Sequence, residues 1–458
     1  QVPLKNPEKP IKKSRKTMAK HTKEIQEYLQ KRRAVPPQIA TPPAKELGLC
    51  VVIPAHDEPD IEGVLTSLWA CDPLSVGVEV IVVVNAPEGA PMDVCERNRN
   101  VCEQIARWQA QPPHHALTLH LIEQTELPRK HAGVGLARKI GMDEAAARLA
   151  SVGRAHGIIA CLDADCTVAP NYLQALNSGF AQDSTHAASI HFEHPINTDA
   201  RCWADLSREE RAICLYELFL RYYIHAQRWA DLPFAYQTVG SSMAARALAY
   251  ARQGGMNKRQ AGEDFYFLQK LIRYGGIVDI TETTVFPSAR CSHRVPFGTG
   301  RAMQAILQHE EPRYETYPLE VFALLRDWLP QVWALWDADA LAWKHHLDQV
   351  PEPLRGFLNK QGFLDKIQEI RSNAPSLGTF RKRFWDWWDA FQLMKWAHEA
   401  RETHYPLQPV EHACVRLFSA YGTHLSPEES DPLALLRRMR QMDRTSSASL
   451  LSRRNYAV

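Results

Sequence analysis

From residue 48 to residue 162 the chain alternates short apolar runs with longer amphipathic stretches. Gly48–Ile53, Val78–Val84, Leu117–Ile122 and Gly157–Leu162 are strand-sized and rich in Val, Ile and Leu. Between them apolar positions recur at helical spacing from about Ile61, over about Asp93–Trp108 and over about Val134–Leu149. Strands apolar on both faces need cover on both, so the alternation predicts an α/β fold: a mainly parallel sheet between layers of helices. Ligands of such sheets bind beyond the carboxyl ends of the strands.

After about residue 300 the pattern changes. Eight of the twelve tryptophans lie there, in segments such as Trp328–Trp343 and Trp385–Trp396, at helical spacing and without strand-like runs. This predicts a helical C-terminal subdomain in which the tryptophans are core rather than a ligand platform. Pro36-Pro37 and Pro42-Pro43 mark a linker at the other end. The expected plan is a basic arm and linker over 1–47, an α/β domain over 48–300 and a helical subdomain over 301–458.

Composition narrows the class. With 458 residues, 45% hydrophobic and 23% charged, the chain can build a sizeable core and is too apolar to be disordered. Its apolar runs fall far short of the roughly 18 residues of a membrane span, and no apolar stretch follows the lysine-rich start, so neither a transmembrane segment nor a secretory signal is expected. The ten cysteines include no Cys-x-x-Cys pair, which reads as reduced, cytoplasmic usage without structural zinc. Net charge is +2, but the first 33 residues hold eleven Lys or Arg against three Asp or Glu, leaving the body acidic. An acidic body with no basic-aromatic module argues against nucleic acid as a partner. The arm and the amphipathic stretch Leu433–Met442, with Arg437, Arg438 and Arg440, would suit peripheral contact with the inner face of a membrane. Solvated helices are the preferred account of both.

The most informative segment is Ile158-Ile159-Ala160-Cys161-Leu162-Asp163-Ala164-Asp165-Cys166, an apolar strand running into two carboxylates at the edge where an α/β sheet exposes its site. Carboxylates so close repel unless a cation neutralises them. Hard oxygen ligands suit Mg²⁺ or Mn²⁺, which bridge substrate phosphates. Asp337-Ala338-Asp339 has the same spacing but follows a helical pattern, and is read as an exposed helix face. Gly262-Glu263-Asp264 opens a second helix, where capping alone accounts for acidic residues. His191-Phe192-Glu193-His194 lacks the order of a zinc hydrolase site and reads as a polar strand edge.

Taken in order, these features resemble the family 2 glycosyltransferases of the GT-A fold over about residues 48–300. Val52-Ile53-Pro54-Ala55-His56-Asp57-Glu58 is similar to that family's opening strand and loop, with Asp57 in place of the usual Asn. Gly135-Leu136-Ala137-Arg138-Lys139-Ile140-Gly141 is similar to its Gly-x-Ala-Arg-Asn-x-Gly helix, and Leu162–Cys166 to its metal-binding Asp-x-Asp. Gly240 through Arg246, Gly254-Gly255 and Gly262-Glu263-Asp264 follow the family's acceptor-side order. Each motif alone is weak, and five in sequence are specific. The second strand departs from the pattern: it ends in Val83-Val84-Asn85-Ala86 where the family often has two acidic or Asp-Asn residues contacting the base, so the resemblance does not imply uracil recognition and leaves a guanine donor open.

The resemblance implies a GT-A-type three-layer sandwich moving a sugar from a nucleotide-diphosphate donor to an acceptor hydroxyl, by inversion in a single displacement. The acceptor, whether glycan, lipid-linked or small molecule, is open. Asp165 would hold Mn²⁺ or Mg²⁺, with Asp163 sharing the metal or reaching the ribose, and His293 is a third candidate ligand. Asp264 is the implied general base, and Glu263 would orient the acceptor. Pro54, Glu58, Asn85 and Arg138, with Lys139 beside it, would line the donor. Arg294 could pair with the diphosphate. Two alternatives remain. Leu162–Val168 also fits the opening motif of haloacid-dehalogenase-like phosphatases, with Asp163 as nucleophile and Asp165 as acid/base, although three strand–helix units precede it here. The other is a non-catalytic nucleotide-sugar-binding protein.

Overall fold

A computed structural model describes residues 8–111, 117–291 and 298–450. In chain order its first elements are α1 (Glu8–Arg32), β1 (Leu47–Ala55), α2 (Glu62–Trp69), β2 (Gly77–Pro87), α3 (Met92–Gln109), β3 (Leu117–Leu127), α4 (Val134–Ser151) and β4 (Ile158–Cys161). There follow β5 (Thr167–Val168), α5 (Tyr172–Gly179), β6 (Ala187–Phe192), α6 (Arg208–Trp229), β7 (Met243–Arg246), α7 (Ala247–Arg252), α8 (Glu263–Tyr274) and β8 (Ile277–Phe286). The remainder is helical apart from two-residue strands: α9 (Thr299–Ile306), α10 (Glu320–Val332), α11 (Ala340–Gln349), α12 (Leu354–Lys360), α13 (Phe363–Ser372), α14 (Leu377–Trp387), α15 (Ala390–Thr403), α16 (Val410–Ala420) and α17 (Pro432–Leu450).

The chain divides into two compact units, the first built from the chain up to Pro195 together with Thr238–Ser288. Its eight strands form one sheet in the order β3-β2-β1-β4-β7-β6-β8-β5. β1 runs parallel to β2 and β4, β2 to β3, and β6 to β8, while β7 is antiparallel to both its neighbours. The expected α/β architecture with a mainly parallel sheet is therefore present. From β1 the chain steps outward to β2 and β3, then returns to lay β4 on the other side of β1. Right-handed crossovers put α2 and α3 on one face and the returning α4 on the other. The reversal opens a switch point between the carboxyl ends of β1 and β4. α4 lies close on the sheet at Gly141, where a Cβ would stand 2.4 Å from Val52 Cγ1 and 3.1 Å from Val83 Cγ2.

The basic arm is not a solvated tail. Ile25 and Tyr28 of α1 are buried. Tyr28 Oη donates to Asp143 Oδ1 at 2.7 Å, Lys139 Nζ donates to Tyr28 Oη at 2.7 Å and pairs with Asp143 at 3.0 Å, and Tyr250 Oη donates to the same carboxylate at 2.6 Å. Arg33 just beyond the helix pairs with Glu144. The lysines turned outward conceal this apolar and hydroxyl-bearing face in a count of charges. Gly255 serves the same docking: its φ is +71°, and a Cβ there would lie 1.8 Å from Tyr28 Oη. Gly255→Ala is expected to destabilise this unit by about 2 kcal/mol or more, read as a lowered urea midpoint. An unchanged midpoint would mean α1 does not dock there.

The second unit comprises Ile196–Gln237 and the helices after residue 298. Segment 196–237, grouped by sequence with residues 48–300, finds its partners in helices far along the chain, which no local pattern reveals. Trp388 and Trp396 are fully buried and Trp328 nearly so, in keeping with the core reading. The amphipathic stretch expected to suit a membrane is spent internally. Leu433, Leu435, Leu436 and Met439 are buried, and Arg440 donates to both oxygens of Glu217 on α6 at 2.8 and 2.9 Å. Asp443 joins the same helix pair: it pairs with Arg221, with His225 at 2.8 Å and with Arg228 at 3.5 Å.

Burial alone would raise the Asp443 carboxyl, but Arg221 foremost, then His225 and Arg228, hold it well below the usual aspartate range. Its stabilisation is therefore complete above the unfolded pKa of about 4 and is lost only as pH falls through the depressed folded value. Asp443→Ala is expected to cost about 3–5 kcal/mol at both pH 7 and pH 5, because it strands buried arginines. Equal denaturation midpoints for variant and wild type would refute the role. Among the described residues no helix is long and apolar enough to cross a membrane.

Candidate active site

The acidic pair sits at the switch point. β4 ends at Cys161, and Leu162 N–H continues its pairing by donating to Val52 O at 3.1 Å. The chain then turns, with Cys166 N–H donating to Asp163 O at 3.1 Å, before entering β5. This turn leaves Asp163 and Asp165 half-buried and brings ligand atoms of Asp163, Asp165 and Cys166 within 4.8 Å of one another. Two convergent carboxylates are a donor set suited to a hard divalent ion. The Cys166 thiol, buried and facing both carboxylates, is pushed well above its ordinary pKa and is protonated at neutral pH.

Arg138 is the centre of the charged cluster. It lies in the second turn of α4 and is only 3% exposed. Its guanidinium forks, Nη2 donating to Asp163 Oδ1 and Nη1 to Glu263 Oε1. Gly240, leading into β7, leaves the room: a Cβ there would stand 2.5–2.6 Å from the guanidinium atoms. Burial opposes the charge of Arg138, but Asp163, Glu263 and Asp264 together outweigh it and keep the guanidinium charged.

The start of α8 delivers the second acidic pair. Gly262 takes a left-handed φ of +70°, turning the chain sharply into the helix, and Asn257 Nδ2 donates to Glu263 O at 3.0 Å. Gly135 of α4 lets this segment approach, since a Cβ there would lie 2.3 Å from Arg259 O. Burial raises the Glu263 carboxyl to about 7, against the pull of Arg138 and with the repulsion of Asp264. Asp264 is likewise raised by burial first, opposed by Arg138 and pushed further by Asp163. Its carboxylate accepts from the N–H group of Phe265 at 2.7 Å.

The ends of β1 and β2 complete the edge. Pro54 is buried in register with Val83, and Glu58 is buried just past the strand. Asn85 is 2% exposed and its Oδ1 has no hydrogen-bond partner among the described residues, while its carbonyl accepts from His56 Nδ1 at 2.8 Å and Asn98 Nδ2 at 3.1 Å. Asp57, with φ +57°, gives its N–H to Asn98 Oδ1 at 3.0 Å and its carboxylate to Arg97.

Not every expected residue is gathered here. His293 and Arg294 lie outside the described residues. Lys139 turns to Asp143 and Tyr28 rather than to the acidic pair. His191 Nε2 lies 2.8 Å from Glu193 Oε1, as expected of a satisfied strand edge, and Asp339 caps α11 by accepting from Ala342 N–H at 2.9 Å. Sequence reasoning missed the bridging position of Arg138. The signal was present, since a charge between Leu136, Ala137, Ile140 and Gly141 has no solvated face to occupy.

No protein-family model matches the sequence, and no curated protein matches it. Among solved structures the chain is similar to Staphylococcus aureus TarS 1-349 in complex with UDP-GlcNAc, at 14% identity and a TM-score of 0.36, covering 88% of this chain and 93% of that one. It is also similar to the mannosyltransferase PcManGT from Pyrobaculum calidifontis in complex with GDP-Man and Mn²⁺, at 14% identity and a TM-score of 0.34, covering 94% of each chain. Superposition at this level is too loose to carry a function across.

Proposed function

We propose that the chain is a metal-dependent glycosyltransferase that moves a sugar from a nucleoside-diphosphate donor to an acceptor hydroxyl with inversion. The observation that carries this reading is the convergence on one buried guanidinium of Asp163, from the Asp-x-Asp turn, and Glu263, from the acidic pair that opens α8. The two motifs lie about a hundred residues apart, yet they form one electrostatic unit at the mouth of the sheet.

In this reading Asp165 and Asp163 would hold the divalent ion. When bound, Mn²⁺ or Mg²⁺ supplies a Lewis acid for the departing diphosphate. Pro54, Glu58 and Asn85, at the ends of β1 and β2, line the nucleoside side, and the unpartnered Asn85 Oδ1 accepts from a ring N–H of the base. Asp264 takes the proton of the acceptor hydroxyl at a carboxylate oxygen. Its raised pKa suits that task, because a base closer to neutrality holds the proton more firmly in the transition state. Glu263, anchored by Arg138, fixes the first turn of α8 and so the direction in which Asp264 faces. His293 and Arg294 are kept as candidates for the third ligand and the diphosphate contact. The phosphatase alternative is disfavoured, since its motif normally ends the first strand of its domain and three strand–helix units precede Asp163 here.

The test is incubation with UDP-, GDP- and TDP-sugars and, in parallel, aryl phosphates, each with Mn²⁺ or Mg²⁺. Metal-dependent release of nucleoside diphosphate from one sugar donor is expected. Turnover of aryl phosphate alone would replace the reading with the phosphatase, and nucleotide binding without turnover would replace it with a binding protein.

A further inference from the structure

Arg138 already places a positive charge on Asp163, one of the two carboxylates assigned to the cation. Its two partners differ in access: the Glu263 side chain is 2% exposed and the Asp163 side chain 39%. One arm of the fork is thus sealed inside the protein, and the other ends on a carboxylate that solvent reaches. From these contacts we infer that Arg138 is a positioning residue acting as an internal counter-cation. It holds Asp163 to Glu263 while no metal is bound, and it competes with the divalent ion for Asp163. The inference rests on the metal-dependent reading above and makes a separate claim about this chain's own residues.

Three features support it. The guanidinium is buried, so giving up Asp163 without another counter-charge would leave a buried cation less well compensated. Gly240 reserves the space that the guanidinium fills, since a Cβ there would stand 2.5–2.6 Å from its atoms. The carboxylates left to it are Glu263 and Asp264, whose charges both act on it. Neutralisation of Asp163 by an incoming ion is thus passed to the acidic pair at the start of α8 through one rigid, planar group. The coupling would ready the acceptor side only once the donor side is charged, which limits wasteful attack by water.

The competition has an unusual signature. A residue that merely supports the fold would weaken metal binding when removed, whereas a competitor strengthens it. Mn²⁺ alone is titrated into wild type and Arg138→Gln, with the free ion followed by electron paramagnetic resonance. The variant is expected to bind Mn²⁺ about tenfold more tightly, since one charge a few ångströms from the ligand is removed. Its transfer rate should fall by about 100-fold or more, because Glu263 loses its counter-ion. Equal or weaker Mn²⁺ binding by folded Arg138→Gln, or no binding by either protein, overturns the proposal. If that variant does not fold, Arg138→Lys decides: its single ammonium cannot fork to both carboxylates, and about threefold tighter binding is expected. Equal or weaker binding again overturns it. Failure of the transferase reading appears elsewhere, as absence of donor turnover in wild type, and leaves the Mn²⁺ comparison intact.

Discussion

Asp264→Asn is expected to lower sugar transfer by about 10²–10⁴-fold while donor and Mn²⁺ binding stay near wild type. Asparagine keeps the shape and can still accept from the N–H group of Phe265, so the first turn of α8 should persist. What is lost is the site that takes the acceptor proton. The pH profile gives a second reading of the same residue. A base works only when unprotonated, so the rate should rise with pH through its pKa. Burial has moved that pKa upward. The acid limb of wild type is therefore expected above the ordinary carboxylate range, with about a tenfold loss of rate for each pH unit below the midpoint. Glu263, raised to about 7, adds a titration of its own. The two are separated by substitution: Glu263→Gln should shift the limb and Asp264→Asn should abolish it. Full turnover by Asp264→Asn would remove this residue from the mechanism.

Asp165→Ala should abolish metal-dependent stabilisation by the donor, with a loss in donor affinity in Mn²⁺ of about 10²-fold or more. The half-buried position of Asp165 and the anchoring of the Arg138 fork on Asp163 predict that the fold survives this change. Melting without ligand should therefore match wild type, whereas the rise in melting temperature with nucleotide sugar and Mn²⁺ should disappear. Asp163→Ala should behave differently, because it also removes one arm of the buried Arg138 fork and lowers the unliganded melting temperature. If Asp165→Ala retains the metal-dependent shift, the ion is not held at this turn.

The strands up to Cys161 and the helices between them were legible because each is long, apolar and flanked by polar turns, so local pattern and tertiary burial agree. The acidic pair was legible for a related reason: two carboxylates straight after a buried strand have few structural uses. Long-range pairing was not. That α1 docks through Tyr28 onto Asp143, that α6 joins the C-terminal helices through Glu217 and Asp443, and that Gly255 exists to admit a tyrosine hydroxyl all depend on partners more than a hundred residues away. The basic arm illustrates the limit. Its lysines dominate a charge count, while its docking rests on a few residues spaced along one helix face.

By itself, then, the amino-acid order determined the alternation of strand and helix, the carboxyl-edge location of Asp163 and Asp165, and the family that the motif order resembles. These follow from periodicity and from neighbours in the chain. Only the tertiary structure decided that Arg138 is a buried bridge between Asp163 and Glu263, rather than a side chain on a solvated helix face, and that Gly240 makes space for it. The reason is physical: the energy of a buried charge is set by which opposite charges reach it through space, and those are brought together by crossovers of the sheet rather than by spacing along the chain.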